Sequence, residues 1–146
     1  MDKNNLESLK LENQLCFPLY AASREVIKLY HPLLTELNLT YTQYLVMLVV
    51  WENEMISEKD LGRLLYLDSG TLTPVLKSLE GKKVITRSRS KADERVVNVT
   101  LTAAGKALRN KAESVPGEIA DKIPLSGKDA KELYTLLYRL LEAGRK

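Results

Sequence analysis

SEKDLGRLLYLDSGTLTPVLKSLEGKKVITRSRSKADERVVNVTLT, residues 57–102, reads as two short helices followed by a basic hairpin. The first helix runs from about Glu58 to Leu65, with Ser57 as its N-cap, Asp60 in its first turn and Leu61, Leu64 and Leu65 on one face. A tight polar break follows. From Asp68 the chain enters a second helix whose apolar positions Leu72, Val75, Leu76 and Leu79 face inward, leaving Ser69, Thr71, Thr73, Lys77 and Ser78 outward. That outer face is small, polar and nearly free of acid. A helix of this kind fits a DNA major groove, where hydroxyls and a lysine reach base edges and phosphates without bulk or repulsion.

The next element is a hairpin. Val84 to Arg89 and Arg95 to Leu101 are short β-branched runs, the second alternating Val97, Val99 and Leu101 against Val96, Asn98 and Thr100. Between Lys82 and Arg95 there are six cations (Lys82, Lys83, Arg87, Arg89, Lys91 and Arg95) against Asp93 and Glu94, a local charge of +4 where the whole chain carries only +3. A basic hairpin alone is commonly just a solvated ribbon. Directly after a polar-faced helix pair it is what a wing needs to follow a phosphate backbone or enter a minor groove. The expected fold is mainly α with a small β-hairpin wing: a winged helix-turn-helix.

At 146 residues the chain is expected to form a single domain. Within it, residues 57–101 would be the DNA-binding lobe, and residues 11–53 and 102–146 the core and dimerisation helices. No stretch has the length of a membrane span, and Met1-Asp2-Lys3-Asn4-Asn5 lacks the basic and apolar regions of a signal peptide, so a cytoplasmic location is expected. One cysteine and one histidine give no internal disulfide and no zinc ligand set, and neither metal nor cofactor is expected.

The remainder is helical in pattern. Leu11, Leu15, Leu19, Ala22, Val26 and Leu29 mark a first helix ending near His31-Pro32, followed by a short one over Leu33 to Leu37. The next, from Thr40 or Thr42 to about Asn53, is apolar nearly all round and predicted to be central, with Trp51 in the core. Thr102 opens a helix to about Ser114, which Pro116-Gly117 interrupts. The last helix starts behind Ser126 and carries Leu133, Leu136, Leu137, Leu140 and Leu141. Together with the N-terminal stripe, these leucines exceed what one small winged domain covers, which predicts a homodimer and a roughly palindromic DNA operator.

The order of the helix pair, Leu67-Asp68-Ser69-Gly70-Thr71-Leu72-Thr73-Pro74, Val84-Ile85-Thr86-Arg87, Asp93-Glu94-Arg95 and Leu101-Thr102-Ala103-Ala104-Gly105 resembles the multiple antibiotic resistance regulator (MarR) family. Within it, Leu11-Glu12-Asn13-Gln14-Leu15-Cys16-Phe17 and Tyr20-Ala21-Ala22-Ser23-Arg24-Glu25 resemble the one-cysteine organic hydroperoxide resistance repressors. The resemblance runs from about Leu11 to Gly105. It implies a repressor whose Cys16 is oxidised by organic hydroperoxide, with Tyr30 and Tyr41 reaching the cysteine of the other subunit. Tyr20, one turn after Cys16, is a further candidate partner. Phenol hydroxyls can donate to a thiolate without adding charge. With no second cysteine, a sulfenic acid at Cys16 would pass to a mixed disulfide with a low-molecular-weight thiol or oxidise further.

For DNA, the implied set is Ser69, Thr71, Thr73 and Lys77 on the helix and Arg87, Arg89, Lys91 and Arg95 on the wing, with Asp93 holding Arg95 rather than touching DNA. Two prolines bear on this. If Pro18 lies in a first turn, the helix begins near Leu15 to Phe17 and Cys16 sits at its positive end; if the helix starts at Leu11, it is kinked beside the thiol. Pro74 falls in or just after the first turn of the second helix and sets how Ser69, Thr71 and Thr73 are presented. Three other functions stay open: control by a small lipophilic or phenolic ligand, a broader redox stress or virulence regulator, and a thiol peroxidase, for which the chain shows no second thiol.

Overall fold

A computed structural model of the chain describes residues 3–145. It comprises two compact units, Met1–Val115 and Pro116–Lys146. The first opens with α1 (Lys3–Ser8), which the sequence pattern did not announce, and a 3₁₀ turn at Leu11–Asn13. Helix α2 then runs from Cys16 to Glu36. Pro18 therefore lies in a first turn, where its missing N–H costs no intrahelical bond. Contrary to expectation, α2 does not stop at Pro32 but continues as one helix through it. An interior proline costs about 3 kcal/mol. The turn beyond it carries Leu34 and, at the helix end, Leu37, both buried, and the Thr35 hydroxyl donates to the His31 carbonyl at 2.8 Å.

Helix α3 (Tyr41–Asn53) is the centre of this unit. Thr40 caps it reciprocally with Gln43, and Tyr44, Val46, Met47, Val50 and Trp51 are all buried along it. Trp51 is a core residue as expected, its indole N–H donating to the Gly105 carbonyl at 2.9 Å. Strand β1 (Met55–Ser57) leads into α4 (Glu58–Leu65), capped by the Ser57 hydroxyl, and then into α5 (Ser69–Gly81), capped by the Asp68 carboxylate. These two helices and their caps lie where the sequence puts them. Leu61, Leu72, Leu76 and Leu79 fill the space beneath, each burial stabilising by about 1.5–3 kcal/mol.

The wing consists of β2 (Ile85–Arg89) and β3 (Val97–Leu101), antiparallel, with Ile85 opposite Leu101 and Arg89 opposite Val97. The sheet has a third strand that the hairpin expectation lacked: β1 pairs with the other edge of β3, Ile56 opposite Val99, giving the order β1-β3-β2. Three residues between two helices are too short to show a period of two. Helix α6 (Ala103–Ala112), capped by Thr102, closes the unit.

Helix α7 (Val115–Lys122), which starts on the last residue of the first unit and otherwise belongs to the second, forms where the sequence pattern predicts an interruption, because Pro116 is tolerated in a helix's first turn. Helix α8 (Gly127–Ala143) is capped by Ser126. Its Leu133, Leu136 and Leu140 are 45%, 51% and 59% exposed. Among the described residues no single helix is long and apolar enough to cross a membrane.

Candidate functional site

The polar face of α5 is built by its cap. The Asp68 carboxylate accepts the Thr71 amide at 2.7 Å, and hydrogen bonds from the Thr71 backbone and side chain hold its pKa below the usual carboxylate value. Ser69, Thr71 and Lys77 are exposed; Thr73 is half-buried, its hydroxyl donating to the Ser69 carbonyl at 2.7 Å. Ser69 and Thr73 line one open cleft together with Glu58, Lys59, Asp60 and Arg63 of α4 and Arg95 of the wing, so the structure brings these two helix candidates and Arg95 together, while Thr71, Lys77, Arg89 and Lys91 lie outside it.

At the wing tip, Arg95 folds back on Asp93: Nε and Nη2 donate to the two carboxylate oxygens at 3.1 and 3.2 Å, and the Arg95 amide donates to Oδ1 at 3.1 Å. These bonds, the guanidinium's first, keep the Asp93 carboxyl below its ordinary value. The Arg95 side chain is nevertheless 91% exposed. Arg89 donates to the Glu94 carbonyl at 2.8 Å and Lys91 is exposed. Arg87 is placed differently. Its side chain is 19% exposed and pairs with Glu58 at 3.2 Å and Glu80 at 3.4 Å, tying β2 to the start of α4 and the end of α5. Glu80 is seven residues away and Glu58 twenty-nine, and neither spacing belongs to a local helix or strand pattern that would announce the pair.

Cys16 is the first residue of α2, exposed and free, beside the exposed Phe17 and Tyr20. The Arg24 guanidinium lies 5.5 Å from the centre of the Tyr20 ring. Tyr30 and Tyr41 meet with ring centres 4.9 Å apart, and Tyr44 joins them at 5.7 and 6.5 Å. Burial raises the hydroxyl pKa of all three above 10. Tyr44 was not singled out for the site, although its i+3 spacing from Tyr41 puts both on one face. Cys16 opens α2 and Tyr30 lies fourteen residues further along the same helix, about 21 Å away along its axis at ~1.5 Å per residue. Within one chain, the thiol and the tyrosine cluster therefore do not meet.

The sequence pattern of the family described as "Transcriptional regulator SarA/Rot" matches residues 28–112. Over 140 residues the chain is 53% identical to the organic hydroperoxide resistance transcriptional regulator of Bacillus subtilis (strain 168), spanning 96% of this chain and 95% of that protein. The chain belongs to the MarR family of transcriptional regulators. Among solved structures, AbfR of Staphylococcus epidermidis in its reduced form bound to DNA superposes with a TM-score of 0.77 at 34% identity, covering 97% of this chain and 99% of that one. Overoxidised AbfR bound to DNA matches equally well, at TM-score 0.77 and 35% identity over 95% and 98% of the two chains. A mutant MarR of E. coli complexed with operator DNA shares the fold, with a TM-score of 0.78 at 24% identity over 97% and 99%. These relatives are regulators of transcription, which removes the thiol peroxidase alternative for this MarR-family chain.

Proposed function

We propose that this regulator is a cytoplasmic, homodimeric repressor that binds a pseudo-palindromic operator when reduced and leaves it when organic hydroperoxide oxidises Cys16. The observation that carries the reading is the separation of an exposed thiol from a tyrosine cluster about 21 Å along the same helix. Such a pair works as one site only across two chains. Residues 11–53 and 102–146 supply the core and dimerisation helices in this reading: Leu15, the N-cap of α2, Phe17, Leu19 and Tyr20 on α2, and the leucines of α8 are exposed apolar surface of the kind a partner covers. Residues 57–101 are the DNA-binding lobe. A two-fold dimer sets its α5 helices about 34 Å apart in successive major grooves, with Ser69, Thr71, Thr73 and Lys77 at base edges and phosphates and Arg89, Lys91 and Arg95 following the backbone.

In the chemical step the Cys16 sulfur attacks one oxygen of the hydroperoxide. The O–O bond breaks, sulfur gives up two electrons, and the alcohol leaves with a proton, leaving Cys–S–OH. A low-molecular-weight thiol then displaces the hydroxyl as water and forms a mixed disulfide. Because AbfR is bound to DNA in an overoxidised form, the bulky adduct is favoured here as the releasing species over simple oxygen addition. Tyr30 and Tyr41 of one chain, and Tyr20 beside Cys16, read the change at the sulfur. Moving a dimer from about 99% to 1% DNA-competent takes roughly 5.5 kcal/mol, several hydrogen bonds' worth, so the tyrosine contacts act through a repacked interface.

The test uses a DNA duplex selected by the reduced protein from a random-sequence pool. Cys16→Ser is expected to bind it as the wild type does and to stay bound at cumene hydroperoxide doses that, with a small thiol present, release the wild type. Release of Cys16→Ser by the same treatment would refute the reading and turn attention to control by a small lipophilic or phenolic ligand.

A further inference from the structure

Gln43 is a buried polar side chain in the middle of the first unit, 6% exposed, and both its amide oxygen and its amide nitrogen are hydrogen-bonded. Its Oε1 accepts from the Thr40 amide at 3.0 Å and from Lys82 Nζ at 2.9 Å, and its Nε2 donates to the Ser78 hydroxyl at 2.8 Å. Its own backbone N–H donates to Thr40 Oγ1 at 3.2 Å, completing the cap of α3. Lys82 Nζ also donates to the Asn38 carbonyl. One side chain thus joins the first turn of α3 to the last turn of α5. That first turn is also where Tyr41 stands, and Tyr44, 3% exposed, follows Gln43 directly.

We propose that Gln43 is a positioning residue that couples the tyrosine cluster to the DNA-reading helix through Ser78 and Lys82. This rests on the tyrosines being the sensing end of the site. A satisfied buried amide has two discrete conditions, bonded or orphaned, so a shift of the first turn of α3 cannot be absorbed gradually. It must either carry Ser78 and Lys82 along or strand the amide. Ser78 belongs to the helix that carries Ser69, Thr71 and Thr73, so a change at Tyr41 arrives at the reading face as a rigid displacement of α5.

The experiment is a double-mutant cycle on reduced protein with the pool-selected duplex, which needs no oxidation step. Tyr41→Ala is expected to weaken binding about fivefold in the wild-type background and less than about twofold in the Gln43→Met background, the non-additivity typical of residues in one network. Gln43→Glu restores the dependence, because the carboxylate still accepts from Thr40 and Lys82 and the Ser78 hydroxyl turns to donate. If Gln43→Met does not fold, Ser78→Ala, which removes only the link to α5, takes its place in the cycle. Additive effects, or no effect of Tyr41→Ala in the wild type, overturn the proposal. A non-additive cycle in a protein that peroxide fails to release supports the coupling while refuting Cys16 as the sensor.

Discussion

Removing the Arg87 guanidinium should destabilise the DNA-binding lobe without removing a DNA contact, and the size of the loss follows from its surroundings. The pairs to Glu58 and Glu80 measure 3.2 and 3.4 Å, with side-chain exposures of 19% for Arg87, 26% for Glu58 and 41% for Glu80. Glu80 also accepts the Arg87 amide at 3.1 Å. At an effective dielectric of about 20 the gross attraction of the shorter pair is roughly 5 kcal/mol, before desolvation is subtracted. Exposed pairs net about 0–1 kcal/mol, and breaking a fully buried one costs about 3–5 kcal/mol. At this intermediate burial, Arg87→Met is expected to cost about 2 kcal/mol. For a chain of this length that lowers the melting temperature by about 6 °C, at roughly 3 °C per kcal/mol. Most of the loss is two carboxylates left facing one another, so adding Glu58→Gln and Glu80→Gln should recover at least half of it in calorimetric melts at pH 7. The slope of log affinity against log salt for the selected duplex should stay unchanged in Arg87→Met. A wild-type melting temperature, a triple variant as unstable as the single, or a slope reduced by about 0.9 per Arg87 would refute the reasoning, the last by showing that Arg87 leaves its carboxylates for phosphate.

Arg95→Ala, by contrast, should reduce that slope by about 0.9 per wing and weaken binding on the order of 1–3 kcal/mol, with Lys91→Ala having a smaller effect; equal slopes in all three proteins would take the wing off the DNA. Gly105→Ala should lower the melting temperature sharply, by the 1–3 kcal/mol or more typical of overpacking, because a Cβ there would overlap the Val84 carbonyl oxygen and the Leu101 side chain. A variant with an unchanged melt would mean that α6 can retreat from the wing. Tyr30, Tyr41 and Tyr44 have folded pKa values above the ordinary 10.0, so the unfolded chain loses these protons first. Their contribution to stability is full below about pH 10 and is lost as pH climbs through the folded values. Three of the seven tyrosines should therefore ionise late and together with unfolding in an ultraviolet titration; seven ionising alike on a folded protein would contradict the cluster.

What was legible in the chain is what neighbours in sequence decide. Ser57, Asp68, Thr102 and Ser126 each cap the helix expected behind them, because a cap is a bond between residues three apart. The Asp93–Arg95 pair, two residues apart, was readable on the same ground. Continuation of α2 through Pro32 was not, since burial of Leu34 and Leu37 against the rest of the unit outweighs a local penalty. Strand β1 exists only because β3 offers it an edge. The pairing of Arg87 with Glu58, and of Gln43 with Ser78, joins residues 29 and 35 positions apart, and no local pattern encodes either.

The same distinction changes what the basic hairpin means. Counted along the sequence, six cations against two anions give a wing of charge +4. In the fold, Lys82 turns inward to Asn38 and Gln43 and Arg87 is spent on Glu58 and Glu80, while Lys83, Arg89, Lys91 and Arg95 remain exposed. Against Asp93 and Glu94 these four exposed cations leave about +2 facing solvent, Lys82 keeping its charge away from the tip on neutral partners, and Asp93 already holds Arg95. A tip of that charge neutralises few phosphates, so the salt-dependent term alone gives only modest affinity. If the proposed function holds, discrimination then falls to the hydroxyl face of α5, a helix that Arg87 contacts through Glu80 and Lys82 contacts through Gln43 and Ser78. On the proposed function, the half-buried Lys82 and Arg87 would then influence DNA binding by fixing where α5 stands, whereas the exposed cations would do so by meeting phosphate.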